Sequence, residues 1–479
     1  MNYSKCLLIS ILLLFSSYII AQDDSLNFKD YHTKGELYYE LDLNEKAIEY
    51  FTKAIELEPS YSKAYFNRGN AHDELKNYTA AIEDFTKTLE LEPEQSKAYF
   101  NRGNAYYLLR QYKEAVEDYT RAIAVDPEQS NFYFNRGNTY DKLEKYNKAI
   151  ADYNKSISMD PTDPDAYFNR GNSYYDLDEY DKAIADYSKS ISINPDDPDT
   201  YFNRGNSYDE LEEYAQAIKD FTKAIAMAPD YSTAYLYRGN AYSDLGEYKK
   251  AIEDFTQTIA LEPENTLAHF NRGDAYYRLE DFTTAIENYT KVLSIDPEDS
   301  DAYNNRGIAY KNLGEYTTAI QDYNKAIAIN PEDPDTYLNK ANVNYKLENY
   351  NAAIKDYTKA ISLSPNVGYT YMYRGKAHYN LENYTTAIQD YNKSISLDPT
   401  ESDAYFHRAN ANDELENYTA AIQDYTKAIA ISPDHGPAYF NRGIVKYNND
   451  NEKGACQDFQ KALEHGETSA AAILLEYCK

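Results

Sequence analysis

Asparagine recurs at two places along this chain, and a side-chain amide can both donate and accept hydrogen bonds. The first series consists of Asn67, Asn101, Asn135, Asn169, Asn203, Asn271, Asn305, Asn339 and Asn441. The second series lies three residues further on and consists of Asn70, Asn104, Asn138, Asn172, Asn206, Asn240, Asn342 and Asn410. Two rows of amides on one surface could pair with the backbone of an extended peptide without requiring particular side chains in it. These asparagines are therefore candidate peptide-binding residues.

Aromatic and acidic residues accompany both rows. A phenylalanine directly precedes several first-series asparagines and would give apolar contact between the amides, at Phe66, Phe100, Phe134, Phe168, Phe202 and Phe270. A third place, three residues after the second series, holds Tyr107, Tyr175 and Tyr277, or Asp73, Asp141 and Asp209. The predicted binding surface is thus aromatic, amide-rich and partly acidic. The alternative is that these residues recur only because the repeat was duplicated, and that they bind no ligand.

An arginine follows the first-series place, and an aspartate comes 16 residues later. Arg68 and Arg102 have such partners in Asp84 and Asp118, and the aspartate recurs at Asp152, Asp186, Asp220 and Asp254. We interpret the pair as an internal ion pair with charge-assisted hydrogen bonds. The alternative is that the arginines bind a ligand.

The sequence offers little for catalysis. Its seven histidines are scattered without a metal-binding pair, and no phosphate-binding glycine loop, nucleophile elbow or HExxH motif occurs. We therefore expect no catalytic residues, no metal site and no cofactor. Acidic turns such as Asp163 with Asp165 could hold calcium weakly, but helix capping explains them better.

A period of 34 residues runs through the chain. It is marked by prolines from Pro59 to Pro433 and by alanines from Ala47 to Ala455. A period of this length predicts stacked supersecondary units in place of one globular core. Thirteen repeats fill residues 28–469, and the fold class is predicted to be all-α, a solenoid of antiparallel helix pairs.

The repeat from Ser96 to Gln129 shows why each unit is a helix pair. One apolar stripe is formed by Tyr99, Tyr106 and Leu109, and a second by Tyr112, Val116, Tyr119 and Ile123. Arg110 and Gln111 connect the two helices, and Pro127 ends the second. Glycine recurs at Gly69, Gly103 and Gly137, where a side chain would hold the helices apart.

Seven residues of this repeat stand in the order of the tetratricopeptide repeat pattern, namely Tyr99, Gly103, Tyr106, Ala115, Tyr119, Ala122 and Pro127. The chain therefore resembles that family, over about 440 residues. The resemblance implies a right-handed superhelix whose first helices line a concave groove, and a role in binding proteins or peptides. One departure is the arginine series, because many members have leucine there. The co-chaperone members hold acidic tails with a lysine where this chain has phenylalanine, which argues against an acidic-tail partner.

The two ends differ from the repeats. Lys5, an apolar run from Cys6 to Ile20 and a polar start after Ala21 predict a secretory signal peptide over residues 1–22, with an uncleaved membrane anchor as the alternative. Residues 23–27 form a short N-terminal segment. We therefore expect export, to the periplasm or the medium, and no membrane span once the signal is cleaved.

At the C-terminal end, residues 470–479 are predicted to form a capping helix, because a solenoid end leaves apolar surface in water. Cys456 and Cys478 are the cysteines that remain after signal cleavage. An oxidising compartment would permit them to form a disulfide, whereas two buried thiols are the other possibility.

The formal net charge of −31 argues against nucleic-acid partners and favours proteins with exposed or basic segments, although it could also serve solubility. The main functional hypothesis is a non-catalytic scaffold that binds extended protein segments along its groove. The alternative is a structural subunit of a cell-envelope assembly that uses convex or terminal surfaces, and an accessory role to an enzyme ranks third.

Overall fold

The structure is a computed structural model that describes residues 26–478, so the predicted signal peptide and most of the segment 23–27 lie outside the described residues. Within this range all regular secondary structure is helical, in 27 helices. The helices are α1 (Phe28–Glu40), α2 (Asn44–Leu57), α3 (Ser62–Glu74), α4 (Tyr78–Leu91), α5 (Ser96–Leu108), α6 (Tyr112–Val125), α7 (Ser130–Lys142), α8 (Tyr146–Met159), α9 (Pro164–Tyr175), α10 (Tyr180–Ile193), α11 (Pro198–Glu210), α12 (Tyr214–Met227), α13 (Ser232–Asp244), α14 (Tyr248–Leu261), α15 (Thr266–Arg278), α16 (Phe282–Ile295), α17 (Ser300–Asn312), α18 (Tyr316–Ile329), α19 (Pro334–Lys346), α20 (Tyr350–Leu363), α21 (Gly368–Asn380), α22 (Tyr384–Leu397), α23 (Ser402–Glu414), α24 (Tyr418–Ile431), α25 (Gly436–Asn448), α26 (Glu452–Glu464) and α27 (Ala470–Tyr477).

The helices form two compact blocks, one ending at Ala241 and one beginning at Tyr242. In each block, consecutive helices form tandem antiparallel pairs, and each repeat supplies a first and a second helix. The second helix of one repeat also packs against the first helix of the next. The all-α fold predicted from the 34-residue period is therefore confirmed.

A tight turn joins the two helices of a repeat. After α5, Arg110 adopts a left-handed φ of 60°. Its N–H donates to the Tyr107 carbonyl at 2.9 Å, and the Gln111 N–H donates to the Tyr106 carbonyl at 2.8 Å. These bonds satisfy carbonyls that the helix end would otherwise leave unpaired. The same left-handed residue recurs in every repeat, and it is a glycine in Gly246 and Gly314.

Aspartates at several repeat boundaries act as helix caps. The Asp163 carboxylate accepts the Asp165 N–H at 3.0 Å, with Pro164 as the first residue of α9. Asp197 and Asp333 cap α11 and α19 in the same way. Within residues 26–478, no group of three acidic, histidine or cysteine side chains could hold a metal ion. The hydrogen bonds of Asp163, Asp197 and Asp333 to the first turns of their helices confirm the capping interpretation.

The core of each repeat combines small residues with one large ring. Ala115 and Ala122 of α6 are fully buried, and Tyr119 between them is 1 % exposed. A Cβ atom added at Gly103 would lie 2.9 Å from the Tyr119 ring. The prediction of close approach at this glycine is confirmed, and the group that needs the room is the aromatic ring of the second helix.

The predicted apolar stripe of the first helix is partly wrong. Leu109 is 38 % exposed, because α5 ends at Leu108 and Leu109 already belongs to the turn. The residues that α5 buries are Ala98, Gly103 and Ala105, while Tyr99 and Tyr106 are half-buried. Small residues therefore face the neighbouring helices, and the tyrosines cover the edges of the contact.

The C-terminal helix α27 covers the end of the last repeat. Ala470 is fully buried against Ala455, Phe459 and Ala462, and Leu474 packs beside them. A disulfide joins Cys456 of α26 to Cys478, with a Cα–Cα distance of 5.6 Å. In the described residues, no helix has the length and apolar character needed to cross a membrane.

Candidate functional site

The two asparagine rows are hydrogen-bonded to each other. Five first-series amides donate from Nδ2 to the Oδ1 of a second-series amide in the preceding repeat, whereas Asn305 donates to Asp274 and Asn339 donates to Asn304. The distances are 2.8 Å from Asn101 to Asn70, 3.0 Å from Asn135 to Asn104, 2.9 Å from Asn169 to Asn138, 3.0 Å from Asn203 to Asn172 and 3.0 Å from Asn441 to Asn410. Part of the hydrogen-bonding capacity predicted for a ligand is therefore used between repeats.

Tyrosines of the second helices donate to the same amide oxygens. The Tyr153 hydroxyl lies 2.8 Å from Asn138 Oδ1, and the Tyr187 hydroxyl lies 2.7 Å from Asn172 Oδ1. Asn172 Oδ1 thus accepts two hydrogen bonds, from Tyr187 and from Asn203, which fixes the plane of its amide. The Tyr153 hydroxyl has one proton and lies within hydrogen-bond distance of both Asn138 Oδ1 and Asp141, so these two acceptors share that donor. The Nδ2 groups of Asn138 and Asn172 remain available to donate to a ligand, and the Oδ1 atoms of Asn169 and Asn203 remain available to accept from one.

The amides of repeats four to six share one cavity in the first block. It has a volume of about 520 Å³ and is lined by amides on α7, α9 and α11, by tyrosines and by carboxylates. The amides are Asn138, Asn169, Asn172, Asn203 and Asn206. The other candidates, Asn67, Asn70, Asn101, Asn104 and Asn135, lie on the same helical places of α3, α5 and α7 but do not line it.

Asn206 lies at the end of the run of hydrogen-bonded asparagines in the first block. Its Oδ1 is buried and has no hydrogen-bond partner in the described chain. Two replacements explain this, because Tyr237 occupies the next first-series place and Phe221 occupies the place of the donating tyrosine. An unpaired buried acceptor is costly unless a ligand or water supplies a donor.

Phe100, Phe134 and Phe168 do not line the cavity. Each is half-buried and packs on the ring of its own second helix, at centroid distances of 5.8 Å to Tyr119, 6.1 Å to Tyr153 and 5.9 Å to Tyr187. The reason is helical geometry, because one residue before an asparagine lies about 100° around the helix. These phenylalanines therefore support the rings that hold the amides.

The acidic side chains of the third place are partly buried. Asp141 accepts hydrogen bonds from the Tyr153 hydroxyl and from Ser173 Oγ, the latter at 2.7 Å. Burial raises the pKa of Asp141, the two hydroxyls partly oppose this, and the charge of Asp176 raises the pKa further while that of Lys142 lowers it. Burial also raises the pKa of Asp73, whose Oδ1 has no hydrogen-bond partner.

The arginine series forms internal ion pairs, as the sequence predicted. Arg136 donates from Nε and Nη2 to the two oxygens of Asp152, both at 2.7 Å, and from Nη1 to Thr120 of the preceding repeat at 3.1 Å. We call this arrangement the arginine clasp. It recurs with the pairs Arg68–Asp84, Arg102–Asp118, Arg170–Asp186, Arg204–Asp220, Arg306–Asp322, Arg374–Asp390, Arg408–Asp424 and Arg442–Asp458.

Two features of the site could not be found from the series alone. Tyr146 and Lys142 line the cavity although they belong to neither amide row, and Asp176 joins them from the turn after α9. The donating role of Tyr153 and Tyr187 was not predicted, because their equivalent Tyr119 was expected only to contribute to an apolar stripe. The signal available was the recurrence of tyrosine, rather than phenylalanine, at a fully buried place, because a buried hydroxyl requires a partner.

Family models match the repeats along most of the chain. The model described as "TPR repeat" matches residues 137–178, 171–212, 239–280 and 273–314. Models described as "Tetratricopeptide repeat" match residues 31–61, 62–95, 96–129, 118–151, 198–231, 221–253, 300–333, 334–367, 368–401 and 402–435. No curated protein matches the chain.

Several solved structures are similar to parts or most of the chain. YrrB, described as a TPR protein with an unusual peptide-binding site, is 27 % identical, with 38 % of this chain and 95 % of that chain covered and a TM-score of 0.36. Yeast Tom70 is 18 % identical, with 94 % and 99 % covered and a TM-score of 0.37. The C-terminal part of a TPR repeat-containing protein from Cytophaga hutchinsonii is 22 % identical, with 50 % and 98 % covered and a TM-score of 0.46.

Proposed function

This chain belongs to the tetratricopeptide repeat family, and we propose that it is a non-catalytic scaffold that binds extended protein segments along the face of its first helices. The observation that carries the proposal is the cavity over α7, α9 and α11. There, amides held by inter-repeat bonds keep free donors and acceptors, and Asn206 Oδ1 has no partner. Extended backbone offers the complementary alternation of N–H and C=O groups.

The fixed amide planes favour binding, because a ligand need not order them. Asn169 and Asn203 are tied to the preceding repeat at 2.9 and 3.0 Å. Side chains that are already immobile lose less conformational entropy when a peptide docks. The hydrogen bonds between the two asparagine rows therefore reduce the number of free amide donors and acceptors, but they hold the remaining ones in fixed orientations.

The proposed partners are other proteins with exposed, and preferably basic, segments, because the chain carries a net charge of −31. We also propose that the protein works outside the cytoplasm. The signal-like residues 1–22 and the disulfide between Cys456 and Cys478 support this location, since disulfides persist in oxidising compartments.

The test is a double substitution inside the cavity. A peptide selected from a randomised display library on the wild-type protein should bind Asn169→Ala/Asn203→Ala at least about tenfold more weakly, because two oriented amides are lost. Helical content, followed by circular dichroism, should be unchanged.

The matched control is Asn339→Ala/Asn441→Ala in the second block. These asparagines also donate to a neighbouring repeat, at 3.2 and 3.0 Å, but they lie outside the cavity. Equal peptide affinity for both double variants would sink the proposal. Crosslinks from partners that map only to second helices or to the ends would instead support the assembly-subunit alternative.

A further inference from the structure

The third place of the first helices alternates between tyrosine and aspartate through the first six repeats. The order is Tyr39, Asp73, Tyr107, Asp141, Tyr175 and Asp209. Asp73 and Asp141 therefore have a tyrosine at the equivalent place in the repeats on either side, and Asp209 has one in the repeat before it. All six residues belong to the first block.

The aspartates of this place differ from those of the arginine clasp. Asp152 receives two hydrogen bonds from the Arg136 guanidinium, so its charge is balanced within the repeat. Asp141 receives bonds only from the neutral hydroxyls of Tyr153 and Ser173, and no ion pair in the described chain neutralises it. A partly buried carboxylate without a cation is unfavourable, and such groups cluster at functional sites.

The surroundings of Asp141 suit an organic cation. Tyr107, Tyr146 and Tyr175 line the same cavity, and aromatic rings attract cations as well as apolar stems. Asp176 adds a second carboxylate, and the first-series amides add neutral acceptors. Lys142 also lines the cavity, but it is exposed and forms no ion pair with Asp141.

We propose that the cavity around Asp141 binds a basic side chain, preferentially arginine, projecting from the extended segment that the amides hold. The inference rests on the proposed function, because the segment's backbone must first lie along the amide rows. Arginine is favoured over lysine because its planar group presents five donors to a cavity rich in acceptors. Asp73, whose Oδ1 has no hydrogen-bond partner, provides an equivalent place for a further basic residue.

The experiment uses the full chain and a randomised library of 12-residue display peptides. Selection on the wild-type protein should enrich arginine above lysine and above the input library. For the best peptide, replacing its arginine by neutral, isosteric citrulline should weaken binding at least about tenfold, because a desolvated charge pair is lost. Affinities are measured at physiological ionic strength, where distant charges are screened.

Two variants separate the cavity from the general acidity of the protein. Asp141→Asn removes the charge but can still bond the two hydroxyls, which donate or accept. On this variant the arginine and citrulline peptides should differ by no more than about twofold. Glu117→Gln removes a charge from the exposed face of α6 and should retain the full wild-type difference.

Each outcome decides between the claims. Selected peptides without basic residues, or an arginine preference that Asp141→Asn leaves intact, would overturn the inference while groove binding stands. Equal losses in Asp141→Asn and Glu117→Gln would show attraction by net charge alone and would also overturn it. If no peptide is enriched, or if Asn169→Ala/Asn203→Ala binds normally, it is the proposed function that fails.

Discussion

Single residues join neighbouring repeats in this protein. Each arginine of the clasp lies on a first helix, bonds an aspartate on the second helix of its own repeat and reaches a hydroxyl or amide of the repeat before it. Arg102 does this with Asp118 and with Thr86, at 2.7 and 2.9 Å. Three helices thereby meet at one guanidinium, whose several donors make this possible.

Repeat eight departs from the clasp, because Asn288 replaces the aspartate. Arg272 donates from Nε to Asn288 Oδ1 at 2.8 Å, and burial lowers the pKa of Arg272. For Arg136 burial acts in the same direction, but the hydrogen bonds and charge of the Asp152 carboxylate outweigh it, so the pKa of Arg136 is raised. An arginine at this place can therefore be accommodated by an amide, with weaker compensation for its charge.

His407 allows a prediction about how the stability of repeat twelve depends on pH. It replaces a first-series asparagine in repeat twelve, and burial, aided by the charge of Lys376, lowers its pKa to about 4, with Asp403 opposing and His435 adding to the effect. The unfolded chain takes up a proton near pH 6.5 and the folded chain near pH 4, so stability present at neutral pH is lost as the pH falls between these values. The loss should be roughly 2–3 kcal/mol.

The measurement is hydrogen exchange of residues 402–431 at pH 7 and pH 4.5, corrected for intrinsic rates. His407→Asn restores the residue of the other repeats and should lose less opening free energy on acidification than the wild type. His465→Asn, at an exposed histidine, serves as the control. An identical pH dependence in wild type and His407→Asn would contradict the prediction.

At the element scale, the sequence predicted the helix pairs well. The prolines and alanines have one period, so the number, order and approximate bounds of the helices follow from it. The caps at Asp163 and Asp197 were also predictable, because their hydrogen bonds reach only two or three residues along the chain. Such local features depend on φ, ψ and nearest neighbours.

The pairing between the asparagine rows could not be predicted. Asn135 and Asn104 are 31 residues apart, and their contact depends on how far one repeat is rotated on the next. The periodic sequence shows that both rows lie on the first helix, but not that they face each other. For the same reason the cavity lining at Tyr146 and Asp176 was missed, since both lie at the helix-turn junctions.

The capping helix α27 depends on the disulfide more than on its own packing. It has eight residues, and Leu475 is 76 % exposed, so its apolar contact with repeat thirteen is small. Short isolated helices are marginal in water. We expect reduction of Cys456 and Cys478 to lower the opening free energy of residues 470–477 by about 2–4 kcal/mol, since the link restricts the undocked chain.

Hydrogen exchange with and without reductant checks this expectation. The double variant Cys456→Ser/Cys478→Ser should exchange like the reduced wild type and should not respond to the reductant. Unchanged protection of residues 470–477 on reduction would show that packing alone holds the cap.

At the scale of the whole molecule, the charge is strongly unbalanced. The sequence has 79 acidic residues against 48 lysines and arginines, a net charge of −31. The clasps consume one cation and one anion each, so they leave this excess unchanged. Their side chains are mostly buried, with 16 % exposure for Arg102 and 6 % for Asp118, and salt screens such pairs less than it screens surface charges.

Added salt should therefore stabilise the protein. Repulsion among surface carboxylates falls as the screening length shortens from about 30 Å at 0.01 M to about 8 Å at 0.15 M, while the clasps keep most of their energy. The melting temperature should rise by a few degrees between roughly 10 and 150 mM sodium chloride, measured by circular dichroism. Tetramethylammonium chloride should give the same rise, because screening does not depend on which cation is present. A melting temperature that falls with added salt would mean that attraction in exposed ion pairs outweighs the repulsion among carboxylates. The net negative charge would then not be the main electrostatic contribution that destabilises the folded protein.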